Sequence, residues 1–247
     1  MAIEFIGSDF LRKVRPYYRL AIGQHAAPHP NHDIKAYDLM LSSLPNFVDA
    51  YRNGGMKSEF FRLGFEPRIL NHLSPEEKRS DIVFIGGVGG PHQGSSALIE
   101  FLCQRFNIAL WGYEKEKLSK TSSIKKAYKG PIWGIEMYQA LQNGKIGFNR
   151  HIGVARDYAN NMRLYEVTGV GTLLLTDYKK NLAKIFQPGK ECLAYKDDRE
   201  CLSLAEYYMT HHKEREDIAQ AGHARTLAEH TWRHRMEELL GIIKKHI

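Results

Sequence analysis

Long hydrophobic runs, export signals and paired cysteines are all missing from this sequence. No apolar run in its 247 residues approaches the roughly 18 residues of a membrane span. Residues 1–18 show no apolar core ahead of a small-residue cleavage site, so we expect no export. The three cysteines, Cys103, Cys192 and Cys201, are odd in number and form no metal-ligand pattern. The sequence therefore predicts a cytoplasmic protein with reduced thiols, which can also lie peripherally at a membrane.

Standard motifs for nucleotides and metals are also missing. The glycine-rich stretch 84–102 has neither G-K-[ST] nor a proper G-x-G-x-x-G, which excludes the Walker loop and the dinucleotide fingerprint. The sequence has no Asp-x-Asp motif. His25, His29 and His32 alternate with prolines, which argues against a fixed metal geometry. We expect no metal and no permanently bound cofactor.

The net charge is +7 and the isoelectric point about 9.2. Such a balance indicates an anionic partner, or simply a solvated basic surface. The densest basic stretch, 113–129, includes Glu114 and Glu116 and has no aromatic residues between its terminal tyrosines. That composition is untypical of a nucleic-acid interface, so we expect no nucleic-acid partner.

From residue 81 onward, short apolar strands alternate with helical patterns. This alternation predicts a doubly wound, Rossmann-like α/β domain whose parallel sheet is covered on both faces. The predicted strands are 81–87, 108–113, 145–149, 172–177 and 191–195, and the predicted helices are 95–106, 135–143, 161–169, 182–186, 198–212, 213–230 and 231–247. The stretch between 113 and 134 is predicted as a loop.

The first 75 residues form a smaller unit. Strands are predicted within 18–30, 36–44 and 58–67, with a helix at 45–55 and a linker at 68–80. Three strands are too few for a full sandwiched domain. We therefore divide the chain into a partial N-terminal α/β segment, a C-terminal domain and a last helix that packs back on the N-terminal segment, over residues 1–75, 76–230 and 231–247.

Ligands of parallel sheets bind beyond the carboxyl ends of the strands, and a glycine-rich loop follows the strand at 81–87. Its glycines allow backbone amides to approach an anion, and the next helix directs its N-terminus there. The alternative is an ordinary tight turn. The candidates in this loop are Gly86, Gly87, Gly89, Gly90 and His92.

A second candidate group follows the strand at 145–149. Arg163 and Glu166 lie three residues apart on one helix face. A helix start with an arginine suits a diphosphate, and a carboxylate one turn later suits a ribose diol. The alternative is a local surface ion pair beside an ordinary helix cap. The other candidates in this group are Asn149, Arg150, His151, Asn161 and Met162.

The same region carries motifs of a known family. These are N-x-R-L-Y-E (161–166), the G-x-G turn (169–171), P-G-K-E (188–191), EYYMTHHKERE (206–216) and H-T-W-R-H-R (230–235). They resemble the GT-B glycosyltransferases grouped with the spore maturation protein CgeB. The resemblance extends over most of the chain after about residue 18.

This resemblance implies two Rossmann-like domains facing each other across a cleft. It implies transfer of a sugar, of hexosyl type, from a nucleotide-diphosphate sugar to an acceptor that is a glycan, a lipid-linked molecule or a protein. Glu166 matches the acid that bonds the donor ribose, residues 86–90 match the diphosphate loop, and residues 161–163 match a helix start facing the phosphates. His25 and His92 are the candidates for acid–base catalysis.

Three features depart from the family pattern. Many retaining members carry an acid eight residues before the position of Glu166, where this chain has Tyr158. The loop after the first strand of the C-terminal domain offers His92 and Gln93 where Arg and Lys are usual. The N-terminal domain is shortened, so we expect a companion chain or domain to supply the rest. The alternative function is a non-catalytic nucleotide- or sugar-binding module, or a subunit of a larger glycosyltransferase assembly.

Overall fold

The computed structural model describes residues 6–27, 32–74, 77–88, 96–113, 119 and 121–247. In this part of the chain eight strands form two parallel sheets. The strands are β1 (Ile22–Gln24), β2 (Leu39–Ser42), β3 (Ser58–Phe60), β4 (Ser80–Ile85), β5 (Ile108–Trp111), β6 (Gly144–Asn149), β7 (Leu173–Asp177) and β8 (Leu193–Tyr195). The α-helices are α1 (Ser8–Lys13), α2 (Pro45–Asn53), α3 (Ser96–Arg105), α4 (Ser123–Ala127), α5 (Gly134–Gln142), α6 (Met162–Gly169), α7 (Asp198–Thr210), α8 (His212–Glu229) and α9 (Trp232–His246).

The larger sheet has five strands in the order β5-β4-β6-β7-β8, all parallel. Both faces are buried, which is why its strands are almost continuously apolar. Leu98 and Leu102 of α3, with residues of α7 and α8, cover one face. Leu141 of α5 and Leu164 of α6 pack on the other. The predicted α/β fold with a doubly covered parallel sheet is confirmed.

The smaller sheet has the order β1-β2-β3, also parallel. Its side chains alternate between two layers, as the strand period requires. Met40 packs with α2 residues, whereas Leu39 and Leu41 pack with the last helix, α9, through Leu239 and Ile242. The C-terminal helix therefore closes one face of the N-terminal sheet. The exact division into 1–75, 76–230 and 231–247 stays a prediction.

Two helices lie where the sequence does not predict them. The first is α1, with only six residues. The second is α4, five residues long, inside the segment predicted as a loop. Its first turn is held by α3, because the Ser122 hydroxyl and the Ser123 N–H both donate to the carboxylate of Glu100. This cap comes from a residue more than twenty positions away, so local patterns do not reveal it. The predicted linker at 68–80 begins as a 3-10 helix, Pro67–His72.

The three cysteines form no disulfide bonds. All three cysteines are free, and burial raises the pKa of each thiol to about 12. They are therefore protonated and poorly nucleophilic at neutral pH.

Among the helices that the structure describes, none is long and apolar enough to cross a bilayer.

The two glycines after Glu166 have different structural reasons. Gly171 adopts φ +75°, a conformation that favours glycine. Gly169 is needed for space, because a Cβ there would lie 2.5 Å from the ring of Phe65. Close packing of α6 against the segment after β3 thus depends on Gly169.

Replacing Gly169 with alanine is expected to lower the free energy of unfolding by about 1–3 kcal/mol, because the added methyl displaces Phe65 in a packed core. Urea unfolding followed by circular dichroism measures the change. The matched control is Gly241→Ala in α9, where a Cβ would meet no atom within 4 Å. That variant should be neutral or stabilised by up to about 1 kcal/mol. Equal losses in both variants would contradict the assigned role of Gly169.

His230 lies between α8 and α9, and its imidazole is fully buried. Its ring lies 5.4 Å from the Tyr165 ring and 5.2 Å from the Phe186 ring, centroid to centroid. Nε2 lies 2.9 Å from the Ile185 carbonyl oxygen, and Arg235 approaches Nδ1 at 3.3 Å. Since the carbonyl accepts from Nε2–H and the guanidinium donates to Nδ1, the ring is neutral. Burial lowers the His230 pKa to about 4.

Folding stability should therefore depend on pH through His230. The unfolded imidazole titrates near 6.5 and the folded one near 4, so the contribution is complete above 6.5 and is lost as pH falls from 6.5 to about 4. The loss amounts to about 3 kcal/mol. A His230→Gln variant retains a donor for the Ile185 carbonyl but does not titrate. Chemical denaturation at pH 7 and pH 4.5 should show a much smaller difference for this variant than for the parent chain.

Candidate functional site

The five-stranded sheet contains one topological switch point, between β4 and β6. The chain leaves β4 toward β5 on one side and returns to β6 on the other, so the loops after these two strands diverge and leave a crevice at their carboxyl ends. A cavity of about 360 Å³ occupies this position. Ala26, Leu44 and Leu63 of the N-terminal segment form its opposite wall. The cavity therefore lies between the two sheets, as a cleft between two Rossmann-like units would.

Seven of the predicted site residues line this cavity. Two come from the loop after β4, two from the end of β6, and three from the start of α6. They are Gly86, Gly87, Asn149, Arg150, Asn161, Met162 and Arg163. Gly89, Gly90 and His92 lie outside the described residues.

The loop after β6 holds the cavity together by bridging the sheets. Asn160 Nδ2 donates to the Ser43 hydroxyl at 2.5 Å, and Asn46 Nδ2 donates to the Val154 carbonyl at 3.2 Å. Ala155 packs among the buried side chains of the smaller sheet. The geometry of the cleft is thus fixed by contacts that cross it.

The side chains of Asn149 and Asn161 are hydrogen-bonded to each other at the start of α6. Asn161 is the N-cap of α6, and its Oδ1 accepts from the Leu164 N–H at 3.3 Å. Its Nδ2 donates to Asn149 Oδ1 at 2.8 Å, and Asn149 Nδ2 donates to the Thr176 hydroxyl at 2.9 Å. This chain of amides anchors the start of α6 on β6 and β7. The two side chains therefore position the helix N-terminus, whose positive end faces the cavity.

Arg163 and Glu166 form a buried ion pair in α6. Arg163 Nη1 lies 2.7 Å from Glu166 Oε2, and the side chains are only 16% and 8% exposed. The alternative of a local surface ion pair is therefore wrong about the surface position, whereas the ordinary helix cap that it includes is present at Asn161. Tyr138 donates a long hydrogen bond of 3.5 Å to Glu166 Oε1. Burial raises the pKa of the Glu166 carboxyl, against the opposing charge of Arg163.

This ion pair is incompletely satisfied. The 2.7 Å approach to Glu166 Oε2 is not aligned as a hydrogen bond, and within the described residues neither Oε2 nor Arg163 Nε has a hydrogen-bond partner. Buried polar atoms are usually bonded, and exceptions concentrate at functional sites. Arg163 lines the cavity, whereas Glu166, in the same helix, is not among the residues that line it. Arg163 can thus offer a cation to a ligand, and the Glu166 carboxylate lies 2.7 Å from that cation.

Arg150 supplies a second cation. It follows β6 directly and lines the same cavity. Its guanidinium lies 3.6 Å from the Asp198 carboxylate, and its buried Nη1 has no hydrogen-bond partner within the described part of the chain. Two arginines and a helix N-terminus therefore meet at one cavity, an arrangement suited to an anion.

His151 is turned toward Asp177 and does not line the cavity. Its backbone N–H donates to Asp177 Oδ1 at 2.9 Å, and its ring Nδ1 lies 2.7 Å from the same oxygen. Burial alone would raise the Asp177 pKa, but the bonds from His151 and the charge of Lys179 lower it to about 2. Asp177 thus pins the loop after β6 to the end of β7. The sequence singles out His151 but does not reveal its pairing with Asp177.

His25 follows β1 and is buried among aromatic rings. Its Nδ1 lies 2.6 Å from the Tyr51 hydroxyl, and its ring stacks on Phe47 at 5.5 Å between centroids. His25 itself does not line the cavity, whereas its chain neighbour Ala26 does. The acid–base roles of His25 and His92 stay predictions.

A larger cavity of about 790 Å³ lies between α2, β3 and α9. It is mostly apolar and contains none of the predicted site residues. We favour the smaller cavity as the functional site because it lies at the switch point and has Arg150 and Arg163 in its wall. In the described residues no three His, Cys, Asp or Glu side chains are grouped as metal ligands would be.

Solved structures define the class to which this architecture belongs. The Anabaena protein Alr3699/HepE in complex with UDP-glucose is 10% identical, with a TM-score of 0.72 over 96% of this chain and 75% of its own. A glycosyltransferase from Rickettsia africae is 12% identical, with a TM-score of 0.67 over 97% and 80%. Sucrose-phosphate synthase from Thermosynechococcus elongatus is 10% identical, with a TM-score of 0.63 over 96% and 71%. The fold is that of the GT-B glycosyltransferases, with Rossmann-like domains.

The family follows from the sequence match. A model of the Glycosyl transferase-like family matches residues 93–241, more than half of the chain, and the protein belongs to this family. Among curated proteins, none matches the chain. The resemblance to glycosyltransferases is thereby confirmed at the level of the GT-B family.

Proposed function

We propose that this protein transfers a sugar from a nucleotide-diphosphate sugar to an acceptor, with the donor bound in the switch-point cavity. The observation that carries the proposal is the buried Arg163–Glu166 pair of α6, because Arg163 presents a cation where the helix N-terminus meets the cavity and the Glu166 carboxylate lies 2.7 Å from it. The complexes of the Anabaena protein with UDP-glucose and with UDP support this class of donor. The five-stranded sheet is then the donor side of the cleft.

Each group in the cavity has a role in this proposal. The diphosphate lies at the N-terminus of α6, between Arg150 and Arg163, and the amides of Gly86 and Gly87 approach it from β4. Glu166 accepts hydrogen bonds from the ribose hydroxyls. When the bond from the sugar to the diphosphate breaks, negative charge grows on the leaving group. Preformed cations and amides stabilise that charge in the transition state.

Proton transfer from the acceptor belongs to His25 or His92 in this scheme. A side chain that only assists transfer should lower the turnover number and leave donor affinity unchanged. For His25 the buried contact with Tyr51 makes a structural contribution as well. A variant at His25 should therefore be tested for both its turnover number and its donor affinity.

We further propose that the chain is a CgeB-like member of the family, since residues 161–166 and 230–235 carry motifs that resemble that group. A companion chain or further domain that completes the acceptor side is part of the same proposal. The acceptor in this proposal is a glycan, a lipid-linked molecule or a protein.

Release of nucleoside diphosphate tests the proposal. The protein is incubated with UDP-, GDP-, ADP- and dTDP-sugars, with and without simple sugar and lipid-linked acceptors. Slow hydrolysis or transfer with at least one donor is expected, and it should be strongly reduced in an Arg163→Gln variant. Saturable binding with no turnover would instead favour the non-catalytic binding module. Neither binding nor turnover with any donor would overturn the proposal.

A further inference from the structure

A polar recess lies at the amino ends of the strands of the smaller sheet, on the opposite side of this sheet from the proposed donor site. It measures about 320 Å³, and its walls come from the segments that precede β1, β2 and β3, together with the end of α9. We call it the amino-end recess. Its charged lining residues are Arg15, Arg19, Lys35, Asp38, Lys57 and His246. The donor cavity lies beyond the carboxyl ends of the same strands, so the two sites do not overlap.

The recess has an excess of unpaired positive charge. Among the described residues, Arg19, Lys35 and Lys57 form no ion pair. The one carboxylate in the lining, Asp38, is already engaged, because its Oδ2 accepts from the Ala21 N–H at 2.7 Å and its Oδ1 lies 3.7 Å from Arg15. Cations gathered around a polar hollow without compensating carboxylates form a site for an anion, and phosphate groups suit lysine and arginine especially well.

His246 adds a donor at the rim. Its Nε2 lies 3.1 Å from Glu59 Oε1, so this nitrogen already has a carboxylate partner. The net charge of the recess is therefore positive, and it comes from Arg19, Lys35 and Lys57, which have no carboxylate partners among the described residues.

An apolar stripe with two exposed aromatic side chains lies in the N-terminal segment that also contributes Arg15 to this recess. Val14 N–H donates to the Phe10 carbonyl and Tyr17 N–H donates to the Val14 carbonyl, so helical turns place Phe10, Val14 and Tyr17 along one side of the N-terminal segment. Phe10 is 54% exposed and Tyr17 is 87% exposed. Arg15, in the same segment, reaches into the recess. Aromatic side chains beside cations are typical of segments that lie in the interfacial region of a membrane.

We propose that the amino-end recess binds a phosphate-bearing anion, and that the source of this anion is the headgroup of an acidic phospholipid. A free phosphate would satisfy the cations but would leave the Phe10–Val14–Tyr17 stripe in water. A lipid surface accommodates both, since the headgroup enters the recess while the stripe enters the interfacial layer. The sheet would then be oriented with its amino ends at the membrane and its carboxyl ends, with the donor cleft, facing away from it.

Vesicle flotation tests this proposal without any sugar nucleotide, so its result is independent of the proposed transfer activity. The full chain is mixed with phosphatidylcholine vesicles, with or without phosphatidylglycerol, at low and high salt. We expect at least about tenfold more protein on the vesicles that contain phosphatidylglycerol, with most of this binding lost at high salt.

Two variants, each with a matched control, distinguish binding through the recess and the stripe from attraction by net charge. R19E/K35E/K57E and F10S/Y17S should each lose at least about 90% of the vesicle-bound protein. K190E/K196E/R199E carries the same charge change at exposed residues elsewhere, and F101S/L240S removes exposed apolar groups elsewhere; both should bind as the parent chain does. Equal losses in R19E/K35E/K57E and its control would mean attraction by net charge only, and would overturn the proposal.

Titration with inorganic phosphate, followed by the thermal unfolding midpoint, distinguishes the source. Stabilisation by phosphate that is lost in R19E/K35E/K57E, together with no flotation of the parent chain, would assign the recess to a soluble phosphate and overturn the lipid assignment. Circular dichroism and unfolding midpoints of all variants establish that each is folded before its binding is compared.

Discussion

Replacing Glu166 with glutamine is expected to weaken nucleotide-sugar binding by about 10- to 100-fold. In the proposed site the carboxylate accepts hydrogen bonds from the two ribose hydroxyls, and hydrogen bonds to a charged group contribute about 1.5–3 kcal/mol. Glutamine keeps the shape of the side chain but loses the charge and one acceptor. Isothermal titration calorimetry with the donor measures the change.

A matched control exists in the same chain. Arg235 and Glu238 also form a pair at spacing i and i+3, with 2.7 Å between Nη1 and Oε1, but they lie in α9, away from the donor cavity. Glu238→Gln should alter stability and leave donor affinity unchanged. Comparable loss of affinity in both variants would show that broken ion pairs act through the fold, and would contradict the donor role of Glu166.

Replacing Arg150 with glutamine is expected to lower the turnover number of sugar transfer by about 10²- to 10³-fold, the usual effect of removing one group that stabilises developing charge. The structural cost should be small, because Arg150 Nη1 has only a 3.6 Å contact with Asp198 to lose. Steady-state kinetics with the donor that supports release of diphosphate measures this effect. The Michaelis constant for the donor should change much less than the turnover number.

Arg156 provides the control for Arg150. It lies in the same loop after β6 but is exposed and does not line the cavity. Arg156→Gln removes the same charge within the same loop and should retain near-normal turnover. A large loss with Arg156→Gln and none with Arg150→Gln would require a different location for the diphosphate.

The sequence predicts the elements of the five-stranded sheet well because each carries its own local signal. The apolar strands alternate with helices, and the N-cap residue Asn161 marks the start of α6. Burial of both sheet faces then follows from the continuous apolar strands. Elements of five or six residues, such as α4 and α1, lack such signals, since residues distant in sequence hold them in place.

The site is predictable only in part for a similar reason. Strand order brings Gly86 and Arg150 together, and parallel crossover rules limit the possible orders without selecting one. The pairing of His151 with Asp177, and the contact of Tyr138 with Glu166, arise from register and helix packing. Patterns along the chain identify such residues one at a time and do not reveal which of them meet.

The central claim is that the switch-point cavity binds a nucleotide-sugar, and calorimetric titration of the full chain with UDP, GDP and their sugars tests it most directly. The account predicts saturable binding of at least one nucleotide and its sugar, with affinity reduced by about 10- to 100-fold in Glu166→Gln and unchanged in Glu238→Gln. Absence of binding for every nucleotide and sugar nucleotide, in protein shown to be folded, would contradict it.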